Sequence, residues 1–400
     1  MYFQSIDDKR QCIGVYMDGK LVFEKDKMPA NFSGMKTWKY SGSLIDDDVD
    51  FAWIIADGDD LEKVCPAELS EEFKKVSAKL RAYKKSFEIA KIDFNDHCFY
   101  DLVPHDFLLR FLHLKNQITK HVFEVRAKPL NYDHLKKVHK LLHKIKYQNL
   151  NINSEDCRKL FVRSVHRSAA QKLMQGPKTI NYNLFGTVTG RLTTHAYSVP
   201  ILTMHRELRQ LIKPHNEWFL SLDYNGAELR TALALSGEKQ PSYDIHEWNM
   251  KNVFERGLVN ERTTAKTLFF SWLYNPDSKA IKNNIYKREK IIEDHYDGEH
   301  IETIYGRKIK VEPRKAFNYI IQSTTSDMVV EKAVEIDKFL KSHQSFVSHI
   351  VHDEIVIDLA DKERYLAPQI RDLFADTRLG NYLVNLEAGK DYYNMEKLKV

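Results

Sequence analysis

Two carboxylates far apart in the chain each close an apolar run. Trp218-Phe219-Leu220-Ser221-Leu222 ends in Asp223, followed by Tyr224-Asn225-Gly226 and a helical pattern from Ala227 to Leu235. A continuous apolar run of this length predicts a buried strand, so the acid at its end is held rigidly at the rim of a sheet. Ser348 to Asp358 reads as strand, tight turn, strand, with His352, Asp353 and Glu354 at the tip. Two acids at the ends of neighbouring strands make a hard oxygen site for Mg2+. A pair of such ions about 3.5–4 Å apart serves in-line displacement at phosphorus, one activating the attacking oxygen and the other neutralising the leaving group. Alone, the first stretch is better read as turn chemistry, because Asn-Gly is a common hairpin signal and an Asp beside it is ordinary there.

A third stretch supplies what would hold phosphates. Between Glu261 and Tyr274, four residues fall at successive i, i+4 steps: Arg262, Lys266, Phe270 and Tyr274. At 100° per residue they cover roughly a third of a helix circumference. Two cations followed by two aromatics on one stripe would grip a triphosphate and then stack on a base. Without the two acidic stretches, a core helix with a solvated basic end explains the same pattern.

Taken together, these stretches resemble the DNA polymerase I family (family A), particularly its shorter phage-like members. Asp223 to Arg230 is similar to the family's first palm motif, Arg262 to Tyr274 to its fingers helix, and His352-Asp353-Glu354 to its second palm motif. Thr187-Val188-Thr189-Gly190-Arg191-Leu192 resembles the segment that meets the primer–template minor groove. Thr303-Ile304-Tyr305-Gly306-Arg307, then Arg314, Asn318, Gln322 and Asp327, follow the spacing of the template-and-primer-reading helix. Five segments in the family's order, over about residues 181–400, make the resemblance specific.

The resemblance implies an α+β right-hand polymerase with an antiparallel-sheet palm, helical fingers and helical thumb, plus a small mixed α/β N-terminal domain. It places the N-terminal domain at 6–100, the thumb at 101–180, the palm at 181–236 and 301–400, and the fingers at 237–300. Residues 1–5 resemble the scar of a protease cleavage site. Asp223, Asp353 and the Tyr224 carbonyl are implied to bind two Mg2+ ions, for which Mn2+ can substitute; Lys266 and Glu354 join the acids as catalytic candidates. Arg262, Lys266 and His246 are implied to hold the dNTP, with Phe270 and Tyr274 packing on it and Glu228 acting as the steric gate against a 2′-hydroxyl. Arg191, Arg314, Asn318, Gln322 and His352 are implied contacts to primer or template, mostly in the minor groove, whose acceptors are similar for every correct pair. The partners implied are primer–template DNA and dNTPs, met by a monomer in the cytoplasm of a bacterial or phage-infected cell, in replication or repair; a processivity factor or helicase is left open.

The rest of the chain is consistent with this. With 400 residues, 43% hydrophobic and 29% charged, there is material for two or more domains, and the net charge of +5 permits nucleic-acid binding without requiring it. Cys12, Cys65, Cys98 and Cys157 are far apart, which argues against structural zinc or a disulfide framework. No run approaches a membrane span. Gln11 to Met17 and Phe51 to Ile55 read as strands, the second flanked by acids that include Asp46, Asp47 and Asp48, and Glu71 to Ile89 reads as a helix with a basic face. Asp60-Leu61-Glu62 is formally Asp-x-Glu, but it follows a Gly-Asp loop rather than ending a strand, so a vestigial domain without proofreading exonuclease is expected. From Asp101 to about Ile180 the pattern is helical, with Leu135, Val138, Leu141, Leu142 and Ile145 forming one apolar stripe. Lysines crowd the remaining face of that helix, and His134, His139 and His143 read as surface residues.

Several positions depart from the family pattern. Ser271 and Asn275 stand where Gly is usual; Asn tolerates the left-handed backbone that often ends a helix, and Pro276 enforces the stop. Gly226 and Ala227 are small beside the gate, which would loosen sugar selection. Three rivals to a DNA polymerase stay open: a single-subunit RNA polymerase, a metal-dependent phosphohydrolase, and a non-catalytic DNA-binding relative.

Overall fold

The computed structural model describes residues 2–4, 14–27, 36–39, 49–92, 94, 97–153, 155, 164–254, 259, 261–275, 277–278, 281 and 285–398. The chain forms two compact units, Met1–Tyr132 and Asp133–Val400.

The first unit combines short strands with long helices. Its sheet runs in the order Lys20–Val22, Gly14–Met17, Tyr2–Gln4, Lys36–Thr37, Asp50–Phe51, with parallel pairing on both sides of Lys36–Thr37. The helices Ala67–Ile89 and His105–Val125 enclose an aromatic core that includes Phe99, Phe107 and Phe111. The expected strand over Phe51–Ile55 is corrected: only Asp50–Phe51 is extended, and Ala52–Ile55 is helical. The reason is local. Ala56 N–H donates to Ala52 O at 2.9 Å, and Gly58 N–H to Trp53 O at 2.8 Å, closing a turn that buries Ala52, Ile54 and Ile55 together. Of the strand expected over Gln11–Met17, residues Gly14–Met17 are extended and the rest, with Cys12, lies outside the described residues, as do Asp46, Asp47, Asp48, Cys157 and Pro276. Cys65 and Cys98 are free thiols.

The second unit is built around a five-stranded antiparallel sheet, in the order Phe346–Val351, Glu354–Leu359, Trp218–Tyr224, Val384–Gly389, Met395–Lys397. The apolar run expected to be a buried strand is its central one, with Phe219, Leu220, Leu222 and Tyr224 all almost fully buried. Both faces are covered, which is why the run does not alternate with polar residues. On one face the Tyr224 ring stacks on Phe374 at 3.9 Å, and its hydroxyl donates to Phe374 O at 2.6 Å. On the other, Phe219 meets His349 and Tyr392 edge-on.

The 27-residue helix Pro313–Phe339 begins with Pro at its first turn, where the missing N–H costs nothing. It packs against the Ala227–Leu235 helix and the sheet. With the helices Ile245–Asn252, Arg262–Tyr274 and Arg288–His295 it encloses a second core, in which Phe269, Trp272, Tyr286 and Phe317 make edge-on ring contacts. Tyr132–Lys146 is helical as expected. Its histidines are not all on the surface, however. His139 is 6% exposed, and His134 Nε2 lies 3.5 Å from buried Asp327. His139 falls inside the apolar i, i+3, i+4, i+7 series of Leu135, Val138 and Leu142, and so shares the stripe's burial.

Candidate active site

Asp223 sits next to last in the central strand, with Glu354 and Asn385 as its cross-strand partners. The turn after it is rigidly defined. Gly226 has φ +70°, and a Cβ there would lie 2.5 Å from Ile245 Cγ2, so glycine is demanded both by the backbone and by packing. Arg230, fully buried one helical turn later, donates to Asn225 O (2.8 Å), Asn225 Oδ1 (3.2 Å), Pro241 O (2.9 Å) and Tyr243 O (2.8 Å). Asn225 in turn donates to Asp244 Oδ2 at 2.8 Å and accepts from Ile245 N–H. Asp244 caps its helix by accepting from His246 and Glu247 N–H, and it also accepts from Arg262 Nη2 at 2.8 Å. The carboxylate strand is thereby joined by hydrogen bonds to the start of the Arg262–Tyr274 helix.

Asp353 lies in the turn between two strands of the sheet, after His352, whose φ of +57° is a strained left-handed conformation. Asp223 and Asp353 line one cavity of about 510 Å³, together with Tyr224, Glu228 and His352. The cationic and aromatic stripe faces the same space: Arg262, Lys266, Phe270 and Tyr274 all line it, as do His246 and Arg191. The Phe270 and Tyr274 rings are nearly parallel, 5.9 Å apart, with Lys266 Nζ 5.8 Å from the Phe270 centroid. Glu228 accepts from Tyr274 Oη at 2.6 Å and pairs with Arg191.

Four expected residues lie outside the cavity lining. Both Glu354 oxygens are engaged from behind the turn, one by Ser221 Oγ at 2.5 Å and the other by Tyr392 Oη at 2.8 Å. Arg314 is exposed and paired with Asp277 at 2.5 Å. Arg314, Asn318 and Gln322 continue at i+4 steps into Ser326 and Val330, which do line the cavity. This i+4 row winds about 160° round the helix from Val330 to Arg314, so Gln322 lies nearest the cavity wall and Arg314 farthest round from it. Asp327, on the same helix, forms a buried two-point pair with Arg307 at 2.6 and 2.8 Å. Arg307 fills the space beside Gly190, where a Cβ would lie 2.5 Å from its guanidinium carbon.

Charge follows burial. Desolvation first and the neighbouring Asp353 second push the Asp223 carboxyl up to about 7, although Asn385 Nδ2 donates to it at 3.2 Å. Burial raises Asp353 as well, and raises Glu228 despite Tyr274 and Arg191. Burial lowers His246 to about 4, leaving it neutral near pH 7. Burial would raise Asp244, but hydrogen bonds from Arg262 and Asn225 hold it well below the usual range.

Two adjoining half-buried carboxylates, neither ion-paired among the described residues, fit divalent cations, which would relieve the repulsion between them. No group of three or more His, Cys, Asp or Glu among the described residues is placed to hold a metal, so further ligands would be carbonyl, water or substrate oxygens. Asn275 departs from expectation. It is extended (φ −109°) rather than left-handed, because its side chain accepts from Asp277 N–H in a local turn of its own. The residues missed by sequence reading are Arg230, Asn225 and Asp244 as a linking network, and Asn385 beside Asp223. A second charged residue, after Glu228, in the mostly apolar Ala227–Leu235 helix was the available signal for Arg230; Asn385 had none.

Comparison with known proteins finds sequence similarity to DNA polymerases. The chain is 26% identical over 235 residues to the thermostable DNA polymerase I of Thermus aquaticus, covering 46% of this chain and 28% of that one. It is 26% identical over 207 residues to a DNA polymerase of Mycobacterium phage D29, covering 42% and 34% respectively. Over less than half of its length, the chain is similar to these DNA polymerases. The likeness in fold extends beyond the aligned sequence: the polymerase domain of Pol1 from M. smegmatis, solved with DNA primer-template and dNTP, superposes with a TM-score of 0.58 at 12% identity, over 88% of this chain and 83% of that one. No family model matches the sequence. The chain spans only about a third or less of the length of these polymerase relatives.

Proposed function

We propose that this chain is a template-directed DNA polymerase that extends a primer 3′-hydroxyl with dNTPs. The observation that carries the reading is one cavity lined by both strand-end carboxylates, Asp223 and Asp353, and by the Arg262, Lys266, Phe270, Tyr274 stripe. A hydrolase needs the acids but has no use for the stripe.

Asp223, Asp353 and the Tyr224 carbonyl would hold two Mg2+ ions, or Mn2+, which when bound supply Lewis-acid stabilisation for displacement at the α-phosphorus. The primer oxygen forms a bond to that phosphorus as the bond to the leaving pyrophosphate breaks. Arg262 and Lys266 bind the triphosphate as cations, and neutral His246 adds a hydrogen bond without charge. Phe270 packs on the incoming sugar and base, with Tyr274 beside the templating position. The Glu228 carboxylate, fixed by Arg191 and Tyr274, occupies the space a 2′-hydroxyl would need. His352, Arg191 and the Arg314, Asn318, Gln322 face follow the primer–template stem. Thumb 101–180, fingers 237–300, and palm 181–236 with 301–400 are the proposed divisions. Asp60 accepts from Lys63 N–H and Asp59 pairs with Lys63, which supports reading this Asp-x-Glu as a solvated turn and the chain as lacking proofreading. Among the described residues, no helix is long and apolar enough to cross a membrane.

The test is extension of a labelled primer with and without dNTPs. Asp353→Asn should reduce extension by about 10³-fold or more while largely keeping DNA binding. Preference for ribonucleotides would favour an RNA polymerase. Phosphodiester cleavage needing no dNTP would favour a phosphohydrolase, and indifference to Asp353→Asn would leave a DNA-binding relative.

A further inference from the structure

From Cys157 to Arg206 the chain has no Asp or Glu in 50 residues, but eight Lys and Arg. The chain-wide frequency of 56 acids in 400 residues would place about seven there. A stretch of this length that contributes no carboxylate of its own suits contact with a polyanion, because each carboxylate would repel phosphate. Within it, among the described residues, stands the most exposed large hydrophobic side chain: Tyr197, 94% exposed. Its φ of +59° is a left-handed conformation that an L-tyrosine adopts only at a cost.

The turn that carries it is not loose. His195 N–H donates to Asn181 O at 2.9 Å, Val199 N–H to Thr179 O at 3.0 Å, and Ser198 Oγ accepts from Asn181 N–H at 2.8 Å. The same hairpin is tied to the catalytic strand: Tyr182 Oη donates to Ile350 O at 2.6 Å and accepts from Ile350 N–H at 2.9 Å. Ile350 is three residues from Asp353, and the segment from Tyr182 to Tyr197 includes Gly190 and Arg191 of the cavity wall. An exposed ring thus stands on a hairpin that is hydrogen-bonded to the strand leading to Asp353, on a segment that also exposes Lys178 and His195 and contributes no carboxylate.

We propose that Tyr197 is a docking aromatic for the base-paired stem of the primer–template, its ring lying against sugars and base edges as the stem leaves the cavity. The assignment rests on the polymerase reading. A hydrogen-bonded link to the strand leading to Asp353 favours a regular duplex, whose spacing from the primer terminus is fixed, over a flexible single strand.

The experiment measures Kd by fluorescence anisotropy for a labelled hairpin primer–template and for a single strand of equal length, using the full chain. Tyr197→Gly and Tyr197→Asn both suit the left-handed backbone and should not lower the Tm. Each should weaken hairpin binding about tenfold, with little effect on the single strand, and Tyr197→Phe should bind as the wild type does. Hairpin affinity within twofold of wild type in Tyr197→Gly, or equal weakening for both nucleic acids, overturns the proposal. Loss in Tyr197→Phe overturns the ring contact in favour of the hydroxyl. Extension by the wild type is scored separately: its absence refutes the polymerase reading, whereas the affinity pattern judges Tyr197.

Discussion

Replacing Arg230 tests how the catalytic turn is held. Its guanidinium is wholly buried and serves Asn225 O and Oδ1, Pro241 O and Tyr243 O at 2.8–3.2 Å. Arg230→Met keeps the apolar stem and removes every donor. Each buried acceptor left bare costs about 1–3 kcal/mol. Against this, burying the cation itself carries a dehydration penalty of several kcal/mol, and burial already pulls its pKa down to about 10. The net loss is about 3–5 kcal/mol, the size of effect that breaking a buried hydrogen-bond network produces. For a unit of this size that is roughly 6–15 °C in Tm. Arg230→Lys, with three donors and no planar fork, should recover only part of it. Because the network joins the Asp223 turn to Asp244, extension by surviving protein should fall as well. Differential scanning calorimetry gives the first number and primer extension the second. A Tm within about 1 °C of wild type would refute the reasoning, since bare carbonyls on this scale cannot be silent.

Other perturbations give separate checks. The Asp223 carboxyl is raised from about 3.8 to about 7 by folding, so its stabilising contribution is full below about pH 4 and is lost as pH rises through 7. In EDTA, Asp223→Asn should flatten that decline and melt above wild type at pH 8; an unchanged pH slope in thermal melts would count against it. Glu228→Ala should raise ribonucleotide incorporation at least about tenfold, measured as the ratio of kcat/KM values for the two sugars. Tyr392→Phe strips one of the two hydroxyls from half-buried Glu354 and should cost about 1–2 kcal/mol in denaturant melts, with Ser221→Ala similar. Gly226→Ala should destabilise by at least about 1–2 kcal/mol from the left-handed backbone alone, with the Ile245 clash in addition.

What was legible in the sequence was whatever a local pattern carries. Asp223 could be placed because an unbroken apolar run can be buried on two faces, and Asp353 because a strand pattern resumes directly after it. The Arg262 to Tyr274 stripe followed from helical periodicity. Partners joined only by tertiary contact were not legible. Asn385 reaches Asp223 from a strand that follows more than 150 residues later, and Glu354, adjacent in sequence to a metal candidate, turns out to be held by Ser221 and Tyr392. The first unit was largely hidden for a related reason: its strands are two to four residues long, below the length at which alternation can be read. His139 is different, since its place in the apolar stripe announced its burial and its polarity obscured it.

The Asn225, Asp244 and Arg262 connections bear on how a site can be ready for an anion before one arrives. Two isolated cations on a half-exposed helix end would carry full side-chain freedom and surrender it on binding. Arg262 is already oriented, because Asp244 takes its Nε and Nη2, and Asp244 is fixed in turn by Asn225 and by the helix N–H groups it caps. A triphosphate meeting Arg262 thus finds one face of the guanidinium committed and Nη1 without a bond to Asp244, so binding needs no rearrangement of the carboxylate. Lys266 has no such tether among the described residues, and its flexible stem lets it adapt. The division of labour is physical: a planar five-donor fork can serve a fixed acid and a ligand together, while an ammonium on a flexible stem follows the ligand. Because Asp244 is also bonded to the turn that ends the Asp223 strand, the orientation of the triphosphate-binding cation and the position of the catalytic carboxylate depend on the same few hydrogen bonds.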